Sequence, residues 1–201
     1  MAGKRTQDRR EWVLRALQTY ECRLVRYAAR LLSDEDAARD VVQHAFLRLC
    51  DQRPEQIDGR LAAWLFTVCR NRAMDLLRRN GRYQRLDDEA AGGCIGNEPD
   101  PAELAEARDV KRTLSKLVAQ LPPSQREAVD LWSEGFDYRQ IGEITNRTAG
   151  SVRVQVHRAL KALRTHAELR PFFDEGADVG EQPISNRFRE ARHGHPTKRV
   201  P

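Results

Sequence analysis

Arg153, Val154, His157, Arg158 and Lys161 lie in the stretch DYRQIGEITNRTAGSVRVQVHRALKALR, from Asp137 to Arg164. At about 100° per residue they gather with Gly150 on one side of a helix. Val152, Val156, Ala159, Leu160 and Leu163 recur at helical period on the other side and must be buried. A cationic face with a small first turn suits a major groove, because phosphates attract the charge and the groove is wide enough for a helix. Two amphipathic helices with a basic outer face also occur in proteins that never meet nucleic acid, so this spacing alone leaves both readings open.

A second cluster lies upstream. Arg70, Arg72, Arg78, Arg79, Arg82 and Arg85 are interleaved with Asn71, Asp75, Asn80 and Tyr83 and with no lysine. Guanidinium binds phosphate bidentately and stacks, and the planar neighbours can contact unstacked bases. The alternative is a solvated helix face. A third set, Asp36, Asp40, Gln43, Leu47 and Asp51, shares the outer side of one helix. An apolar centre among charges is how a docking ridge is built, although these residues taken alone favour a solvated face.

Enzymatic work on nucleic acid would need clustered carboxylates for a metal, a phosphate-cradling glycine loop or a nucleophile with its base. None is present in the pattern. His157 and His166 sit on a basic helix and read as DNA-facing or solvated. Cys22, Cys50, Cys69 and Cys94 form no ligand-spaced pair, and His44 with Cys50 does not share a helical face. The thiols are expected to be reduced and in the core, with no metal and no cofactor. The sequence shows no signal peptide and no membrane-spanning run, so the expectation is a soluble cytoplasmic protein.

The elements that must position these groups are all helical. The chain has 201 residues and a net charge of +5, unevenly distributed. Residues 1–85 hold 18 Lys/Arg against 11 Asp/Glu, residues 86–107 hold none against 7, and residues 108–170 hold 12 against 7. Two basic blocks thus flank an acidic one. The expected fold is all-α, with two small helical domains at 1–85 and 108–170. A flexible acidic linker at 86–107 joins them, and a mostly disordered tail occupies 171–201.

In the first domain a frayed basic terminus over residues 1–10 leads into a helix from Trp12 to Leu32, with room for a break or bend near Tyr20. A second helix is capped by the Ser33-Asp34 run, with Ala38, Val41, Val42, Ala45, Phe46 and Leu49 inside. After Pro54 to Gly59 comes a third, burying Leu61, Trp64, Leu65, Val68, Cys69, Ala73, Leu76 and Leu77. In the second domain Pro122-Pro123 end a helix, and Ser124 with Glu127 reads as a capping box for the next. The helix-turn-helix follows, its first helix capped by Asp137 and Gln140, its second by Thr148. Gly142 falls where the two helices approach closely.

Taken together, DVVQHAFLRLC, AAWLFTVCRNRAMDLLRR and LPPSQREAVDLWSEGFDYRQIGEITNRTAGSVRVQVHRALKALR, in this order, resemble the extracytoplasmic-function (ECF) branch of bacterial RNA polymerase sigma factors over roughly residues 20–85 and 108–166. The resemblance implies a protein without chemistry of its own that binds core RNA polymerase through its clamp and flap and directs initiation at chosen promoters. It implies that Asp40, Gln43 and Leu47 dock on the clamp. Asn71, Asp75, Arg78, Arg79 and Arg82 would meet the minus-10 element, and Arg153, Val154, His157, Arg158 and Lys161 the major groove of the minus-35 element. The acidic linker would follow the path of nascent RNA, and an anti-sigma protein is a common partner in the family.

The chain departs from the family's usual residues at His44, where an acid is usual, at Val154, often serine, and at Gln155, often arginine. The competing reading is a stand-alone helix-turn-helix regulator. It would need a dimer to read paired half-sites, and it has no use for the Asp40–Leu47 face or the arginine-rich helix.

Overall fold

A computed structural model describes residues 2–79 and 105–166. The acidic linker, apart from its last three residues, and the C-terminal tail lie outside the described residues, as do Arg82, Arg85 and Cys94.

Helix α1 runs unbroken from Ala2 to Leu32. No break interrupts it near Tyr20, and the terminus expected to fray is helical. Arg9 donates to the Cys50 carbonyl and Trp12 is buried, so the helix is tied to the body of the fold from Arg9 onward. Leu14, by contrast, is 48% exposed. The chain reverses at Ser33, whose φ of 54° is a left-handed helix stop, with its N–H on the Ala29 carbonyl at 2.8 Å. Asp34 then caps α2 (Glu35–Cys50), accepting the Ala37 N–H at 3.0 Å. Its buried set is Ala38, Val41, Val42, Ala45, Phe46 and Leu49, the stripe read from the sequence.

A short α3 (Pro54–Ile57) and a 3₁₀ turn (Asp58–Arg60) lead into α4 (Leu61–Arg79). Here the buried set differs from expectation. Leu65, Cys69, Ala73 and Leu77 are inside, but so are Ala63, Phe66 and Met74, while Leu61, Trp64, Val68 and Leu76 are only partly covered. Helix α4 is covered on two sides, by α1 and α2 on one and by the second half of the chain on the other.

The second half consists of α5 (Ala105–Ala119), α6 (Pro123–Ser133), α7 (Tyr138–Thr145) and α8 (Ala149–Arg164). The expected capping box at Ser124 and Glu127 does not form. Pro122 is the N-cap, with no side-chain bond, and its carbonyl takes the Gln125 and Arg126 N–H groups at 2.9 Å each. Glu127 is buried and turned toward the first half. Every residue from Glu127 to Ser133 is buried, because α6 is held between α8 and the first half.

The cysteines also depart from expectation. Cys69 is buried, and burial pushes its thiol up to about 12. Cys22 and Cys50, expected in the core, are exposed.

Candidate nucleic-acid interface

The helix-turn-helix is built by local rules. Asp137 accepts the Gln140 N–H at 2.7 Å while the Gln140 side chain takes the Asp137 N–H at 3.0 Å, so both halves of the predicted capping box are made. Ile141 and Ile144 are buried. Helix α7 ends at Asn146, which takes the left-handed conformation with φ 55°, and Thr148 opens α8 by accepting the Ser151 N–H at 3.2 Å.

Between the two helices there is no room for a side chain at Gly142, where a Cβ would stand 2.6 Å from the Arg147 carbonyl oxygen. Gly142→Ala gains helix propensity of up to about 1 kcal/mol, but overpacking against backbone costs about 1–3 kcal/mol. A net loss of about 1–2 kcal/mol is expected in a urea melt, with the slope unchanged.

This frame presents Arg153, Val154, His157, Arg158 and Lys161 to solvent together, with Val154 at 45%. Val152, Val156, Ala159, Leu160 and Leu163 are buried behind them. Arg153 also lies close enough to Tyr138 to oppose the upward push that burial gives that phenol. Gln155 is half-buried, and the Ser124 hydroxyl reaches its amide oxygen at 3.4 Å.

On α4, Asn71, Asp75, Arg78 and Arg79 are exposed at i, i+4, i+7 and i+8, one stripe near the helix end. Arg78 bonds Asp75 at 2.9 Å, with both side chains more than half exposed. Arg70 leaves this group. The sequence pattern puts it among exposed cations, but its Nε is 2.7 Å from the buried Glu127 carboxylate. Arg72 is half-buried.

The third set stands on α2. Asp40 and Gln43 are exposed and Leu47 is 61% exposed. His44 is half-buried. Beside the ridge lies a groove of about 400 Å³ between α1 and α2, its apolar wall formed by Leu17, Val25, Val42, Phe46 and Leu47. The α1 wall of this groove is not visible in the sequence pattern as part of the ridge. Among the described residues no group of three His, Cys, Asp or Glu could hold a metal. No described helix is long and apolar enough to cross a membrane.

A helix-turn-helix with an outward cationic face, joined to a helical module with its own arginine-tipped helix, defines a two-part DNA-binding protein. Known proteins narrow that class. Sigma-70 region 2 matches residues 16–83 and Sigma-70 region 4 matches residues 111–163. The ECF RNA polymerase sigma factor SigL of Mycobacterium tuberculosis is 33% identical over 145 residues, covering 70% of this chain and 80% of that protein. SigE of Mycolicibacterium smegmatis is 29% identical over 147 residues, covering 72% of this chain but only 57% of the relative's length. Among solved structures, the sigma factor RpoE of Bartonella quintana, crystallised with the anti-sigma factor NepR, superposes with a TM-score of 0.59. It is 26% identical and covers 78% of this chain and 95% of its own. The chain belongs to the ECF RNA polymerase sigma factors, which direct transcription initiation.

Proposed function

We propose that this chain joins core RNA polymerase in the cytoplasm and confers promoter choice without chemistry of its own. Residues 1–85 form the clamp-binding and minus-10 module, 86–107 the linker, and 108–170 the minus-35 module with its contact to the flap. Asp40, Gln43 and Leu47 dock on the clamp. Asn71, Asp75, Arg78, Arg79 and Arg82 meet the minus-10 element, where bases leave the stack and charge with planar groups can hold them. Arg153, Val154, His157, Arg158 and Lys161 enter the minus-35 major groove. An anti-sigma protein is a further partner, by analogy with the RpoE complex.

The observation that carries this reading is Leu47. Helix α2 buries every other large apolar side chain, yet holds this one 61% exposed between Gln43 and Asp51. The test is to add the purified protein to core polymerase and ask whether it draws the enzyme onto a subset of genomic fragments. Retention of the same fragments by the protein without core would favour a stand-alone regulator instead.

Val154 adds a specificity prediction. A valine in the groove makes apolar contact, best with a thymine methyl, so the selected minus-35 motif should carry a T at the facing position. Val154→Ser should relax the preference there by about 5- to 100-fold, the range of one base contact. An unchanged motif in a promoter selection would remove Val154 from the groove.

A further inference from the structure

The stretch from Asp137 to Arg164 holds two glycines, and the fold explains one of them. Gly142 has a carbonyl where its Cβ would stand. Gly150, in the first turn of α8, has open space: a Cβ there would meet no atom within 4 Å. Its backbone does not call for glycine either, because it is right-handed helix, and Gly135 is the described glycine with a positive φ, at 102°. Glycine loses more conformational freedom than any other residue when it is fixed in a helix. At Gly150 that cost has no compensating contact within the chain.

A second residue on the same face is also out of keeping with a free helix. Val154, one turn on, is a branched apolar side chain held 45% exposed, and valine is a mediocre helix former. At about 100° per residue, Val154, His157 and Lys161 lie within about 40° of Gly150, while Arg153 and Arg158 fall to either side. All six are exposed. The centre line of the face therefore begins as bare backbone and continues as a short apolar group, with cations on both flanks. Local rules broken without a gain inside the fold are expected where function lies. A major groove has the matching section, with phosphates on both rims and base edges along the middle.

Reach connects the two residues. The methyl groups of valine stand two bonds from Cα, whereas arginine and lysine extend several bonds further. The flanking cations can meet phosphate from a distance, but Val154 touches a thymine methyl only if the α8 backbone itself comes close. A recognition helix of this motif enters the groove with its N-terminal residues toward the bases, so any side chain at Gly150 would meet them first. Dispersion contact falls by a quarter to a half over a gap of about 0.5–1 Å, so one added methyl at this point removes much of the contact one turn away.

This step rests on the minus-35 assignment made above. We propose that Gly150 sets the depth of α8: its missing Cβ lets the helix sit low enough in the minus-35 groove for Val154 to read a thymine methyl and for His157 to reach a base edge. Gly150 is thus a positioning residue, and the contacts are made by Val154 and His157.

The test compares wild-type and Gly150→Ala holoenzymes on a promoter fragment carrying the selected minus-35 motif. Two further fragments have the motif scrambled or each of its thymines replaced in turn by uracil, which lacks only the methyl. The urea midpoint of Gly150→Ala should equal or exceed that of wild type, since the added Cβ meets open space and alanine suits a helix better. Affinity for the intact motif should nevertheless fall about tenfold, as the Val154 and His157 contacts weaken together. The scrambled fragment should stay within about twofold, because the long cations still reach phosphate. In wild type, uracil at the thymine facing Val154 should cost about three- to fivefold, the worth of one buried methyl. In Gly150→Ala the same replacement should cost less than about 1.5-fold. Unchanged affinity for the motif, an equal loss on the scrambled fragment, no uracil penalty in wild type or the same penalty in both proteins would overturn the proposal. A lowered urea midpoint would overturn it too, by returning the glycine to the needs of the fold. If scrambling the motif left the wild-type holoenzyme's affinity unchanged, the minus-35 assignment itself would fail.

Discussion

Leu47→Asp should cost at least about 30-fold in affinity for core polymerase while leaving the protein folded. The side chain is 61% exposed in the last turn of α2, so the replacement should cost no more than about 1 kcal/mol of stability, chiefly from a carboxylate near the helix C-terminus. At an interface the same position is the apolar centre of a ridge flanked by Asp40 and Gln43. Truncating such a centre costs about 2 kcal/mol or more, and a carboxylate left unpaired in an apolar contact adds its desolvation. Leu14 supplies the control. It is also an exposed leucine, 48% open, but it sits on α1 and does not line the groove beside Leu47. Leu14→Asp should leave affinity within about threefold, and Leu47→Met should retain most binding because volume and polarity are kept. Equal affinities for Leu47→Asp and wild type, measured by fluorescence anisotropy at matched melting temperatures, would remove the ridge from the polymerase contact.

The features legible in the sequence are those set by neighbours along the chain. Helix α2 has a single buried stripe and a capping acid, and its six buried residues follow from period alone. The helix-turn-helix is written in caps, with Asp137, Gln140 and Thr148 making the bonds their types predict. Gly142 likewise owes its identity to a carbonyl five residues away.

The departures share one cause, which is contact across long stretches of chain. Glu127 three residues after Ser124 has the spacing of a cap, but its partners Arg70 and Tyr27 are 57 and 100 residues away. A charge-assisted bond to arginine outweighs a terminal cap. Phe66 lies outside the narrow stripe that period alone assigns to α4, whereas that helix is covered on two sides. Cys22 and Cys50 are a separate, local case, each lying just off the buried stripe of its own helix. One signal was available. From Glu127 to Glu134, the later part of α6 and its C-cap, the polar residues are three acids in a line and Ser133, and an acidic stripe on so apolar a stretch calls for arginines elsewhere.

The cations of α8 should separate by function when removed. Arg153, Arg158 and Lys161 are exposed on the same face, and as phosphate-binding groups each would release counterions on binding. The slope of log affinity against log salt should fall by about 0.9 for every phosphate no longer neutralised. Changing all three to alanine should therefore flatten the slope by about 2–3 and weaken binding to every sequence alike. His157 lies between them, nearer the centre of the face. As a reader of base edges it should behave differently, with His157→Ala losing about 1–3 kcal/mol on the preferred minus-35 motif and almost nothing on unrelated DNA, at unchanged slope. The fold should survive both changes, because the buried stripe of Val152, Val156, Ala159, Leu160 and Leu163 is untouched. Should the triple variant keep the wild-type slope, α8 would not lie along phosphates. Should His157→Ala weaken specific and unrelated DNA equally, the histidine would be one more backbone-side group and base choice would fall to Val154 alone.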